Sequence, residues 1–84
     1  METYPTINME ETGKRIKELR LKAGYSVKDI QKKFNFGTPQ AIYKWEQGAT
    51  LPSLENLAVL SILFKVTIDH IIVIEYEPAS SKAK

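Results

Sequence analysis

Gln40, Tyr43, Lys44 and Gln47 are long hydrogen-bonding side chains spaced three and four residues apart in one short segment. An α-helix turns about 100° per residue, so the four share one side of it, while Ile42 and Trp45 fall on the opposite side. The apolar pair can seat the helix on a core. The polar row can then reach base edges in a major groove, which admits one helix. There Gln40 suits a bidentate pair with adenine, Lys44 a guanine acceptor or a phosphate, and Tyr43 a thymine methyl or a phosphate. Gln and Lys also populate ordinary solvated helix faces, so the row acquires meaning only from its surroundings.

Other reactive side chains offer less. His70 is the single histidine, and there is no cysteine; a thiolate zinc site, a disulfide framework and a cysteine nucleophile are therefore excluded. No nucleophile with a base, no catalytic carboxylate pair and no phosphate loop stands out, which argues against an enzyme and against any metal or cofactor. Adjacent Glu10 and Glu11 belong near a helix start, where negative charge complements the helix dipole.

To hold the polar row in place the chain must form several short helices, and its punctuation divides it accordingly. Residues 1–7 read as an extended N-terminal arm, because Pro5 biases Tyr4 away from helix. Ile16, Leu19 and Ala23 recur at helical spacing from Asn8 onward, with Asn8 or Thr12 as the cap and Gly24 as the stop; Gly13 blurs the start. Ser26 and Asp29 have the spacing of a capping box, flanked by Tyr25 and Ile30 as a hydrophobic staple, which predicts a second helix over 27–34. Asn35, Phe36 and Gly37 form a turn, with Phe34 and Phe36 plugging the core beneath it. Thr38 offers a cap and Pro39 a first helical residue for a third helix ending at Gln47. Ser53 and Thr67 cap a fourth and a fifth. The run from Ile71 to Glu77 fits either the end of a helix or a strand. Residues 75–84 are expected to be a flexible, disordered tail, leaving 8–74 as the ordered domain and 38–47 as its recognition helix.

Eighty-four residues at 43% hydrophobic content make one small core. The net charge of +2 is modest but unevenly spread: residues 13–48 carry nine basic and three acidic groups, net +6, and the remainder three basic and seven acidic, net −4. The second and third helices lie inside the positive stretch and are joined by a tight turn, an arrangement of helix-turn-helix type. The longest apolar stretch, Leu57 to Phe64, is far short of the roughly 20 residues of a membrane span, and no signal peptide is evident. A cytoplasmic protein is expected.

Five fragments in order, Gly13-Lys-Arg-Ile-Lys-Glu-Leu-Arg20, Ser26-Val-Lys-Asp-Ile30, Ile42-Tyr-Lys-Trp-Glu-Gln-Gly48, Leu51-Pro-Ser-Leu-Glu-Asn-Leu57 and Val66-Thr-Ile-Asp-His-Ile71, resemble the Cro/CI-type (XRE-like) helix-turn-helix family. The resemblance implies an all-α, five-helix bundle, a transcriptional regulator, most simply a repressor, that reads double-stranded DNA with its third helix, and a homodimer on a palindromic operator. It assigns Thr38, Gln40, Ala41 and Lys44 to base contacts, with Tyr43 beside them. Phosphate contacts are expected from Ser26, Val27, Lys28, Gln47, Thr50 and Ser53, since helix amino termini bind anions. Arg20 and Glu46 match a structural ion pair between the first and third helices. Departures are visible too: Val27 stands where relatives often have a phosphate-gripping Gln, Gln31 where they have Ala, and the turn is one residue longer.

The apolar residues of the fourth helix, Leu54, Leu57, Val59, Leu60, Ile62, Leu63 and Phe64, surround it, whereas a surface helix needs one stripe. Helix five, the arm or a second subunit must cover the rest, and a homodimer through helix five and the Ile71–Tyr76 segment is one expectation. The other is an interaction module of the same fold, an antitoxin or transcription-complex adaptor, with a protein partner on helices four and five.

Overall fold

Asn8, Ser26 and Ser53 each accept a hydrogen bond from the backbone amide three residues on (Glu11 at 2.9 Å, Asp29 at 3.0 Å, Asn56 at 3.1 Å), and these caps start three of the helices. The computed structural model of the protein describes residues 3–78. In chain order its elements are β1 (Thr3–Ile7), α1 (Met9–Lys22), α2 (Val27–Phe34), α3 (Gln40–Gln47), α4 (Leu54–Phe64), α5 (Ile68–Ile71) and β2 (Ile74–Pro78). The capping box at α2 is complete, since the Ser26 amide also donates to the Asp29 carboxylate at 2.8 Å. Asn35 and Lys65 end α2 and α4 in the left-handed conformation, at φ 57° and 60°. Thr67 precedes the single turn of α5, but its hydroxyl bonds the Asp69 carboxylate rather than the backbone.

Nine apolar side chains make the core: Ile16, Leu19, Ile30, Ile42, Trp45, Leu57, Leu60, Phe64 and Ile71. Every helix contributes, and burying each aliphatic member is worth about 1.5–3 kcal/mol. Trp45, Phe34 and Phe36 act as expected. The two Phe rings stack at 5.1 Å, and both meet Trp45 edge-on, at 5.5 and 5.9 Å.

Three expectations need correction. The fold is not all-α: β1 and β2 pair antiparallel in register, from Thr3 opposite Pro78 to Ile7 opposite Ile74. Residues 3–7 of the arm are extended, as read, but they form a paired strand; residues 1–2 lie outside the described residues. The tail cannot begin at 75, because residues 75–78 belong to β2, while 79–84 lie outside the described residues. At the root of this ribbon the Asn8 amide donates to the Val73 carbonyl at 2.8 Å, and the Val73 amide donates to the buried Thr12 hydroxyl at 2.9 Å. These bonds direct the chain out of α5 into β2 and alongside β1. Last, Thr38 is not a cap. Pro39 holds the N-cap position with φ −85° and ψ 4°, and its carbonyl accepts from the Ile42 and Tyr43 amides, so α3 starts at Gln40 rather than at 38.

Candidate nucleic-acid interface

The position of α3 is over-determined from its inner side. Ile42 and Trp45 are buried. At its far end the Arg20 guanidinium grips the Glu46 carboxylate through two bonds, Nε to Oε2 at 2.7 Å and Nη2 to Oε1 at 3.2 Å, and its remaining Nη1 donates to the Tyr25 carbonyl at 3.0 Å. Both side chains of the pair are about 8% exposed. A bidentate pair in this setting sets orientation, and removing either partner strands a charge away from water. The expected ion pair is therefore present, and it ties α1, the start of α2 and α3 into one unit.

Glycine permits the same closeness. A Cβ on Gly13 would lie 2.6 Å from the carbonyl oxygens of both Trp45 and Glu46, so α1 can pack onto the end of α3 only because position 13 has no side chain. Gly48, at φ 79°, ends α3 and itself lies so close to Met9 and Glu10 that a Cβ there would fall 2.9 Å from the Met9 carbonyl oxygen. The α2–α3 turn is held in part by Gln31, whose Nε2 donates to the Phe36 carbonyl at 3.2 Å.

On the outer side, Gln40, Tyr43, Lys44 and Gln47 are all exposed, and Thr38 is exposed in the turn just before them. Ala41 differs, being half-buried and packed against the core. Alone among the five helices of the described residues, α3 has neither a side-chain cap nor an acidic residue in its first turn. Its amino end therefore presents the positive pole of the helix without a built-in anion to satisfy it. Lys28, Lys32 and Lys33 stand exposed on the neighbouring α2.

The phosphate candidates divide into two groups. Ser26 and Ser53 already accept from backbone amides, and the Ser26 amide is taken by Asp29, so Ser26 has only its hydroxyl proton left to give. Those interactions hold the Asp29 carboxyl below its usual value: the Ser26 amide has the largest effect, then the Ser26 hydroxyl, with Lys32 and Lys33 adding attraction. Val27 turns its side chain half inward onto the core, which leaves its backbone amide as its polar offering. Lys28, Gln47 and Thr50 are exposed, and the Thr50 amide makes a long 3.4 Å bond to the Lys44 carbonyl.

Two residues that matter for this geometry escape a reading by residue type. Thr12 looks like an alternative helix cap but is fully buried and serves the Val73 amide; a polar residue on the inward stripe of α1 is the only hint. Gly13 reads as a weak helix start, and its use lies in the distant α3. Among the described residues no three His, Asp or Glu side chains cluster as metal ligands.

The model of the family described as helix-turn-helix matches residues 16–71, two thirds of the chain. The chain is similar to the HTH-type transcriptional regulator ImmR of Bacillus subtilis (strain 168), with 37% identity over 60 residues; these make up 71% of this chain and 46% of ImmR, so the chain spans about half the length of that relative. In fold it resembles the crystal structure of the DNA-binding domain of BldD, with a TM-score of 0.64 and 17% identity over 77% of this chain and 93% of that one. The chain belongs to the helix-turn-helix family, in the Cro/CI-type (XRE-like) class that its sequence fragments resemble.

Proposed function

We propose that the protein is a sequence-specific double-stranded DNA-binding transcriptional regulator, most simply a repressor, that reads the major groove with α3 and acts in the cytoplasm. The observation that carries this reading is the exposed row Gln40, Tyr43, Lys44 and Gln47 on a helix whose inner side is fixed by Ile42, Trp45 and the Arg20–Glu46 pair. Gln40 and Lys44 take the specifying contacts, with Thr38, Ala41 and Tyr43 at their margin. The start of α2, through the Val27 amide and the exposed Lys28, the Ser53 cap and the exposed Thr50 loop position the phosphates. Two copies bind a palindromic operator with their third helices in successive grooves.

Selection from a randomised duplex library tests this. A palindromic motif is expected to enrich, and Gln40→Ala should relax it at one position per half-site, losing about 1–3 kcal/mol of discrimination without loss of fold. Affinity should fall steeply with added salt. No enriched motif would turn attention to the second reading, an interaction module of the antitoxin or adaptor kind. The exposed Leu54 and Ile62, at 74% and 76%, favour that reading.

A further inference from the structure

The two ends of α3 are held by different means. The Glu46 end is fixed by α1, through the Arg20 guanidinium and the close approach at Gly13. The Gln40 end has no side-chain cap, and Gly37 and Thr38 just before it are exposed. What secures that end is Phe36, whose ring stacks on Phe34 and meets Trp45 edge-on. Both backbone polar groups of Phe36 are bonded to a single residue of α2: its amide donates to the Gln31 carbonyl at 3.0 Å, and its carbonyl accepts from Gln31 Nε2 at 3.2 Å. Gln31 is half-buried, at the edge of the inward stripe of Val27, Ile30 and Phe34. Among the described residues no other side chain bonds the backbone of residues 35–38. Aromatic contacts tolerate a range of offsets, whereas hydrogen bonds weaken steeply away from linearity. The rings therefore anchor Phe36 in depth, and the two bonds to Gln31 fix the direction in which its backbone leaves for Gly37.

We infer that Gln31 is a positioning residue for sequence recognition: by clamping Phe36 it sets how α3 enters the groove, and so which base edges Thr38, Gln40 and Lys44 meet, with no base contact of its own. This role rests on the regulator reading. Thr38 lies two residues beyond Phe36 and Gln40 four, so a rotation of the turn is carried directly into the base-facing end of α3. A displacement of about 1 Å there is enough to spoil a bidentate pair. The Glu46 end would keep its place through Arg20, which makes the clamp a determinant of direction rather than of docking.

Selection of the full chain on randomised duplexes, beside Gln31→Met and Gln31→Ala, tests the inference. Met keeps the length of the side chain and removes the donor; Ala removes the stem as well and suits a helix. With helical circular dichroism retained, each variant should lower the affinity ratio between the wild-type motif and an unrelated duplex by about tenfold or more. Two or more positions per half-site should relax together, because the whole base-facing end moves. Affinity for the unrelated duplex, and its salt dependence, should stay within about twofold, since those are set by phosphate contacts. Gln31→Met should also cost less discrimination in a Gln40→Ala background than alone, as coupled residues do. Variants that keep the wild-type motif and ratio would overturn the inference and leave the regulator reading standing. So would relaxation at a single position, which marks a direct contact, or an equal fall on both duplexes, which marks a loss of fold or docking. A wild type that selects no motif overturns the regulator reading and this role with it. If the Met variant loses its helical signal, the Ala variant decides by the same ratio.

Discussion

The junction of α1 with α3 and the ribbon of β1 with β2 each join segments distant in sequence, and they do so in opposite ways. The junction stacks independent constraints on one geometry: a glycine that only backbone can approach, a buried bidentate ion pair and an aromatic cluster under the turn. Its outward side is polar. The ribbon rests on its own ladder and on a few bonds at its root around Asn8, Thr12 and Val73, and one of its faces is apolar and wet. A helix that must present side chains to a groove has to arrive already positioned, because an error of register moves the whole row. The ribbon presents no such row, and fewer constraints fix it.

Four substitutions can break or sharpen this contrast. Arg20→Ala should be the most damaging, lowering unfolding free energy in denaturant titrations by roughly 3–5 kcal/mol through the stranded Glu46 carboxylate. Gly13→Ala should follow at about 1–3 kcal/mol from overpacking against two backbone carbonyls. A near-neutral result would mean that the junction yields more readily than its geometry implies.

Thr12→Val keeps the shape of the side chain and deprives the buried Val73 amide of its acceptor, at about 1–3 kcal/mol. Hydrogen exchange should then quicken at Asn8 and Val73 while the α3 amides stay protected; equal quickening in both regions would erase the distinction drawn above. Ser26→Ala should cost about 1 kcal/mol through the lost cap, and it carries a pH signature. The Asp29 carboxyl is held below its usual value in the folded state, so its contribution is present above the ordinary carboxylate range and is lost as pH falls through the depressed value. Thermal melts of the wild type should therefore weaken in acid, and those of the variant less, since only the Ser26 amide and the two lysines would remain to hold the charge.

How far each region could be read from its residues follows the range of the interaction. The caps at Asn8, Ser26 and Ser53 and the turn at Asn35 depend on neighbours within four residues, and they stand where residue type points. The Arg20–Glu46 pair joins side chains twenty-six residues apart on two helices, and it was legible through family resemblance. The ribbon was not. Its strands are some seventy residues apart, each is short, and the alternation in Ile74-Glu75-Tyr76 becomes a strand signal only once β1 is beside it. Gly13 misleads for a related reason, since helix propensity counts only its local cost. Pro39 lies one position earlier than propensity suggests because its ψ of 4° keeps it just outside the helix. Gln40, Tyr43, Lys44 and Gln47 are exposed as helical spacing predicts, whereas Ala41 is turned further inward than expected.

Thr3 and Pro78 face each other at the open end of the ribbon. A force applied to the two ends of the chain would therefore load the ladder one residue pair at a time, in the peeling direction, instead of shearing all five together. The helical core would bear no tension until Ile7 had parted from Ile74. The weakest element thus acts as a mechanical fuse for the most rigid one.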